Sequence, residues 1–245
     1  MPVSAKAFQR WLQGVAPDIS IADVAKASGV KRTTLAQQLV RGKVAEATVV
    51  GISRAFNINP VAALSSFEQY RDLRAAAVPP TLQELVSQIS TVDLLQAVIA
   101  RTERDGVGGA AAAPPELSPP PHATSVKNWV DAIDDGELRH RVSAATGVAP
   151  QNYSAQLTAN RLAPELAVAT SRAAGVGPAS GLVATGLVTE TEAGWPPGAR
   201  QAALDRLTDG ELAVLAGDRL QALGKTLRRQ EHDQRQTEQI WENLG

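Results

Sequence analysis

Apolar positions recur at i, i+3 and i+4 along most of this chain, in short runs that end at Gly, Asn or Pro. The pattern predicts a string of short helices. A first spans about 5–14 and carries Trp11. Ser20 is a good N-cap for a second, which ends at Gly29, a favoured residue just past a helix C-terminus. A third runs from about 31 to 40 and is stopped by Gly42; a fourth covers roughly 46–56. Pro60 stands at the tolerated first turn of a fifth. After Pro79-Pro80 the residues Leu82, Leu85, Val86, Ile89, Leu94, Leu95, Val98 and Ile99 predict one longer amphipathic helix.

The same string then repeats. At an offset of 118, Val24–Leu64 lies over Val142–Leu182 without a gap, and 13 of the 41 pairs are identical. Chance in so alanine-rich a chain gives about three or four. Gly29 meets Gly147, Gln38 meets Gln156, Ser53-Arg54-Ala55 meets Ser171-Arg172-Ala173, and Pro60 meets Pro178. The same offset pairs Trp11 with Trp129, Leu94 with Leu212 and Arg101 with Arg219. The chain therefore reads as an internal duplication. A second Trp-bearing helix is expected at 125–133, with stops at Gly147, Asn160 and Pro178. Leu204, Leu207, Leu212, Leu215, Leu220 and Leu223 form the second copy's long stripe, after Pro196-Pro197. Between the copies, Gly106–Thr124 holds five prolines and reads as a semi-extended linker reaching on the order of 55 Å.

Composition sharpens this. The 245 residues include 42 Ala but only three Phe and two Tyr, which suits close-packed short helices better than a sheet. Without Cys there is neither a disulfide framework nor a thiolate metal site. No apolar run approaches the roughly 20 residues that span a bilayer, and the N-terminus lacks signal-peptide character. The expectation is a cytoplasmic, nucleoid-associated protein with no membrane contact. A net charge of −1 argues against a nucleic-acid partner until it is divided: residues 1–75 carry +5, residues 76–118 −3, residues 119–195 −2 and the rest −1.

The stretch Ser20–Leu64, SIADVAKASGVKRTTLAQQLVRGK followed by VVGISRAFNINPVAAL, resembles the lambda-repressor-like (Xre-type) helix-turn-helix family. About 60 residues of the first copy share the family's order of helix, Gly, Val, polar recognition helix, Gly-containing loop and apolar helix pair. The second copy resembles it more weakly. The resemblance implies an all-α fold with two tandem helix-turn-helix domains, 1–78 and 125–195. Each is followed by a longer amphipathic segment, 79–105 and 196–245, with the linker at 106–124 between them. In that arrangement Leu35 and Leu39 anchor the recognition helix and turn Lys31, Arg32, Thr33, Thr34 and Gln37 toward the major groove. Arg41 and Lys43 are suited to phosphates.

In the second copy the equivalents of Lys31 and Arg32 are Ala149 and Pro150. Gln151 and Asn152 remain as base readers, with Asn160 and Arg161 as phosphate contacts. Two unlike readers imply an asymmetric operator, and the linker is long enough to set them one helical turn, about 34–36 Å, apart. The function expected is that of a sequence-specific repressor on double-stranded DNA, reminiscent of a temperate-phage immunity repressor, with no cofactor. The alternative is an interaction regulator of antitoxin or accessory type in which only the first copy binds DNA. Self-association is open through the apolar stripes at 82–101 or 212–227. His122, His140 and His232 have no metal-ligand spacing, and no P-loop, zincin or nucleophile-elbow pattern occurs, so an enzyme is not expected.

Overall fold

The protein, in a computed structural model, is described over residues 2–74, 78–105 and 116–242, without the side chains of residues 104, 105 and 240–242. Among the described residues the fold is all-α apart from one two-stranded antiparallel ribbon, β1 (Val3–Ser4) with β2 (Lys43–Val44), in which Val3 faces Val44. The first copy comprises α1 (Ala5–Val15), α2 (Ile21–Ser28), α3 (Arg32–Val40), α4 (Glu46–Ala55), α5 (Pro60–Leu64) and a 3₁₀ segment, Glu68–Arg74. Next come α6 (Leu82–Ser87) and α7 (Thr91–Asp105). The second copy holds α8 (Ser125–Ile133), α9 (Leu138–Thr146), α10 (Pro150–Thr158), α11 (Pro164–Ala174) and α12 (Ser180–Ala184), then α13 (Ala199–Asp205) and α14 (Asp209–Glu242). Shifted by 118, α3 coincides with α10 at both ends, and α7 and α14 share their first residue.

The expected long helix over 82–101 is two helices. Its apolar period runs through the break, but Ser90 Oγ accepts the Asp93 N–H at 3.1 Å and starts α7 afresh. Thr208 does the same for Glu211 at 3.3 Å, the equivalent pair in the second copy.

The chain divides into two compact units, Met1–Gln88 with Pro119–Ala199, and Ile89–Ser118 with Arg200–Gly245. Both helical copies therefore lie in the first unit, not in separate domains on either side of a linker. The reason is a common core: Phe8, Leu35 and Leu64 from the first copy belong to the same buried cluster as Trp129, Tyr153 and Leu182 from the second. Glu84, fully buried, caps α6 by accepting the Thr81 N–H at 2.9 Å and also accepts the Trp129 indole N–H of α8 at 3.3 Å.

Of the expected linker, residues 106–115 lie outside the described residues, and the remainder is packed. In the first unit, Pro121 lies so close to Gly186 that a Cβ there would be 2.5 Å from its ring, and the His122 N–H donates to Ser125 Oγ at 2.7 Å. In the second unit, Ser118 donates to the buried Asp93 carboxylate through its N–H (3.2 Å) and its hydroxyl (3.0 Å). The core of that unit gathers Ile89, Leu94 and Ala97 with Leu204, Leu212 and Ala216. Arg101 binds there to the carbonyls of Leu204 (2.8 Å) and Leu207 (2.6 Å) and to Asp209 (3.0 Å).

Candidate nucleic-acid interface

Two helices joined by a left-handed glycine form the candidate site, once in each copy. Gly29 closes α2 at φ +68°, ψ 5°, and Gly147 closes α9 at φ +70°, ψ 5°. A side chain at this φ is strained, which is why Gly stands at both positions. The following helix is anchored on one face by Leu35 and Leu39 in α3, and by Tyr153 and Leu157 in α10. The anchors have changed together with their surroundings. Tyr153 replaces Leu35, and its hydroxyl meets the Thr170 hydroxyl at 3.0 Å, where the first copy has Ile52. Burial pushes the Tyr153 phenol above its ordinary range, keeping it a neutral hydrogen-bonding group.

The loop behind each helix is held by the same bond. Gln38 Oε1 accepts the Ala45 N–H and Gln156 Oε1 accepts the Ala163 N–H, both at 3.1 Å. The repeated glutamine is thus a brace, not a reader.

Opposite the anchors, Arg32, Thr33, Thr34 and Gln37 are exposed on α3, with Lys31 exposed at its N-cap and Arg41 and Lys43 just beyond its end. Among the described residues none of these four cations has an ion-pair partner. Neither α3 nor α10 has a side-chain cap at its N-terminus.

The second copy differs in charge state as well as sequence. Gln151, Asn152 and Arg161 are exposed, but Lys127 pairs with Asp131, Arg139 with Asp131 and Asp134, and Arg141 with Asp135 at 2.9 Å. Asn160 departs from the sequence reading. It is half-buried at φ +49°, its Oδ1 accepts the Val126 N–H at 2.9 Å, and its Nδ2 donates to the His122 carbonyl at 3.2 Å. Its amide oxygen and one of its two amide hydrogens are committed to the start of α8.

The sequence also left unassigned what Arg54 and Arg172 do. These equivalent arginines each cross to the other copy. Arg54 grips Glu192 through two bonds of 2.7 Å and the Leu187 carbonyl at 3.2 Å. Arg172 grips Asp72 and the Gln69 carbonyl, the latter at 3.1 Å. Asp72 lies eight residues beyond Leu64, the end of α5, and Glu192 eight beyond Ala184, the end of α12. Reciprocal contacts of this kind are the pattern of a two-fold pair. The Arg54 guanidinium holds the Glu192 carboxyl below its ordinary range, and Glu192 in turn raises Arg54. The repeated Ser-Arg-Ala was the visible signal for this clamp; nothing in the sequence marks its two acidic partners.

Among the described residues no group of three His, Cys, Asp or Glu is placed to hold a metal ion, and no helix is long and apolar enough to cross a membrane. The chain matches no family model, no curated protein and no solved structure.

Proposed function

We propose that this chain is a sequence-specific DNA-binding repressor in which two copies of one helical module act as the two halves of a single-chain dimer. The observation that carries this reading is the outer face of α3, where Arg32, Thr33 and Gln37 are exposed among cations that have no ion-pair partner among the described residues. Water alone would satisfy these cations, but their clustering around a helix whose outer face also carries Thr33 and Gln37 gives a surface of the charge and hydrogen-bonding chemistry that a duplex takes. A phosphate backbone supplies the missing negative charge, and a major groove accepts one helix. Arg32 would then bridge the two acceptors of a guanine and Gln37 would pair with an adenine, while Lys31, Arg41 and Lys43 hold phosphates.

The reciprocal Arg54 and Arg172 clamps support a fixed spacing between α3 and α10, set by the common core instead of by a tether. Because the two helices differ, the operator would be asymmetric, with Gln151 and Asn152 reading the second half-site and Arg161 positioning them. Repression would follow from occluding polymerase, with no cofactor.

A second reading, in which only the first copy binds DNA and the second serves a protein partner, is favoured by the internal pairing of Lys127, Arg139 and Arg141. Selection of random duplexes with the full chain separates the two. The first reading predicts two conserved blocks of unlike sequence, with Gln151→Ala/Asn152→Ala relaxing only one of them. A single block, unaffected by those changes, would contradict it.

A further inference from the structure

Within the first unit, a cavity of about 510 Å³ lies where the two copies meet. The first copy lines it with the start of α5 and Asp72–Arg74, and the second with the start of α12 and Thr191–Trp195. Its volume is in the range of small-molecule sites, roughly 300–1,000 Å³. Two of its lining residues, Leu73 and Trp195, are buried apolar side chains.

Two exchanges between the copies set the character of the cavity. In the first copy Asn59 accepts the N–H groups of Val61 (2.8 Å) and Ala62 (3.1 Å) and donates to the Glu192 carbonyl at 2.9 Å. Its equivalent is Gly177, where a Cβ would lie 3.1 Å from the Val78 carbonyl oxygen and 3.2 Å from Ser180 Oγ. The equivalent of Ala62 is Ser180 itself. Ser180 is 1% exposed, and its hydroxyl has no hydrogen-bond partner among the described residues. A buried hydroxyl left unpaired costs stability and is uncommon in native folds, so the second copy carries a polar group with an unmet bond at the cavity wall.

The other polar groups around it show what is missing. The Ser65 hydroxyl donates to the Ala62 carbonyl at 2.7 Å, and the carboxylates of Asp72 and Glu192 are neutralised by Arg172 and Arg54. Ser180, Thr191 and Arg74 remain uncommitted among the described residues, and all three can donate. Arg74 adds a positive charge with no ion-pair partner. We propose that this cavity binds a small organic anion, with an apolar ring against Leu73 and Trp195 and a carboxylate that accepts from Ser180 and Arg74. The site stands apart from DNA binding, since none of its residues belongs to α3 or α10.

Three probes with one apolar body test this on the full chain: naphthoate, naphthamide and naphthylmethylammonium, followed by saturation-transfer NMR and calorimetry. Naphthoate should bind at about millimolar or tighter, as its size allows. The amide should bind more weakly and the ammonium not at all. Ser180→Ala gives the second copy the residue of the first and should weaken naphthoate about three- to tenfold. The same change should raise the Tm of the free chain, because the unpaired hydroxyl is gone. Arg74→Gln should bring naphthoate down to the affinity of naphthamide. Failure of naphthoate to bind, equal binding of all three probes, or a Ser180→Ala chain with higher Tm and unchanged affinity would overturn the proposal. So would an Arg74→Gln chain that still prefers naphthoate to naphthamide.

Discussion

In the proposed complex Arg32 and Gln37 are the side chains that read bases. Arg32→Ala should weaken binding to a selected operator by about 1–3 kcal/mol and relax the choice of base at one position, as losing a bidentate arginine–guanine contact does. Lys43→Ala should weaken all duplexes alike. Competition binding against single-base operator variants distinguishes the two patterns.

Inside the core, Gly181 is as constrained as Arg32 is free. A methyl group there would lie 2.4 Å from the Ala167 carbonyl oxygen and 2.9 Å from the Trp129 ring, although its counterpart in the first copy is Ala63. Gly181→Ala should destabilise the fold by about 3 kcal/mol, the upper end for overpacking. Gly210→Ala, with nothing within 4 Å of the added methyl, should cost nothing in the same urea titration. Tight sites of this kind were invisible in the sequence, because they depend on which backbone passes behind the residue. Asn160 follows the same rule: its position beside Arg161 suggests a phosphate contact, and only the fold shows its amide meeting a helix start 34 residues earlier in the chain.

Among the elements, those defined by local chemistry were legible. Ser20, Gly29, Gly42 and Pro60 punctuate α2, α3 and α5 much as their residue types demand. Elements whose ends are set by distant packing were not, and the stripe from Leu82 to Ile99 concealed the break before α7. The clamp elements also give a pH dependence. Glu192 is depressed in the folded protein, chiefly by its hydrogen bonds to Arg54. Its stabilising contribution is therefore complete above the ordinary glutamate pKa of about 4.3 and lost as pH falls through the lower folded value. Thermal melts should show wild type above Glu192→Gln at neutral pH, with the difference closing in this acid range. A gap that widened on acidification would contradict the assignment.

At the scale of the whole molecule, the duplication was written in the sequence and its consequence was not. A proline-rich segment suggested two tethered readers, but reciprocal arginines and a common apolar cluster join the copies in one unit. Deleting one copy would expose the core of the other, so the copies have to be separated by charge instead. The central proposal is that this unit engages DNA through both copies. The most direct test is the salt dependence of binding to a selected operator, compared between wild type, Arg41→Ala/Lys43→Ala and Arg161→Ala. Each lost phosphate contact should reduce the log–log slope by about one, so slopes shallower by about two and about one are predicted for the two variants. A slope left at the wild-type value by Arg161→Ala would contradict engagement of the second copy, and one left there by Arg41→Ala/Lys43→Ala would contradict engagement of the first.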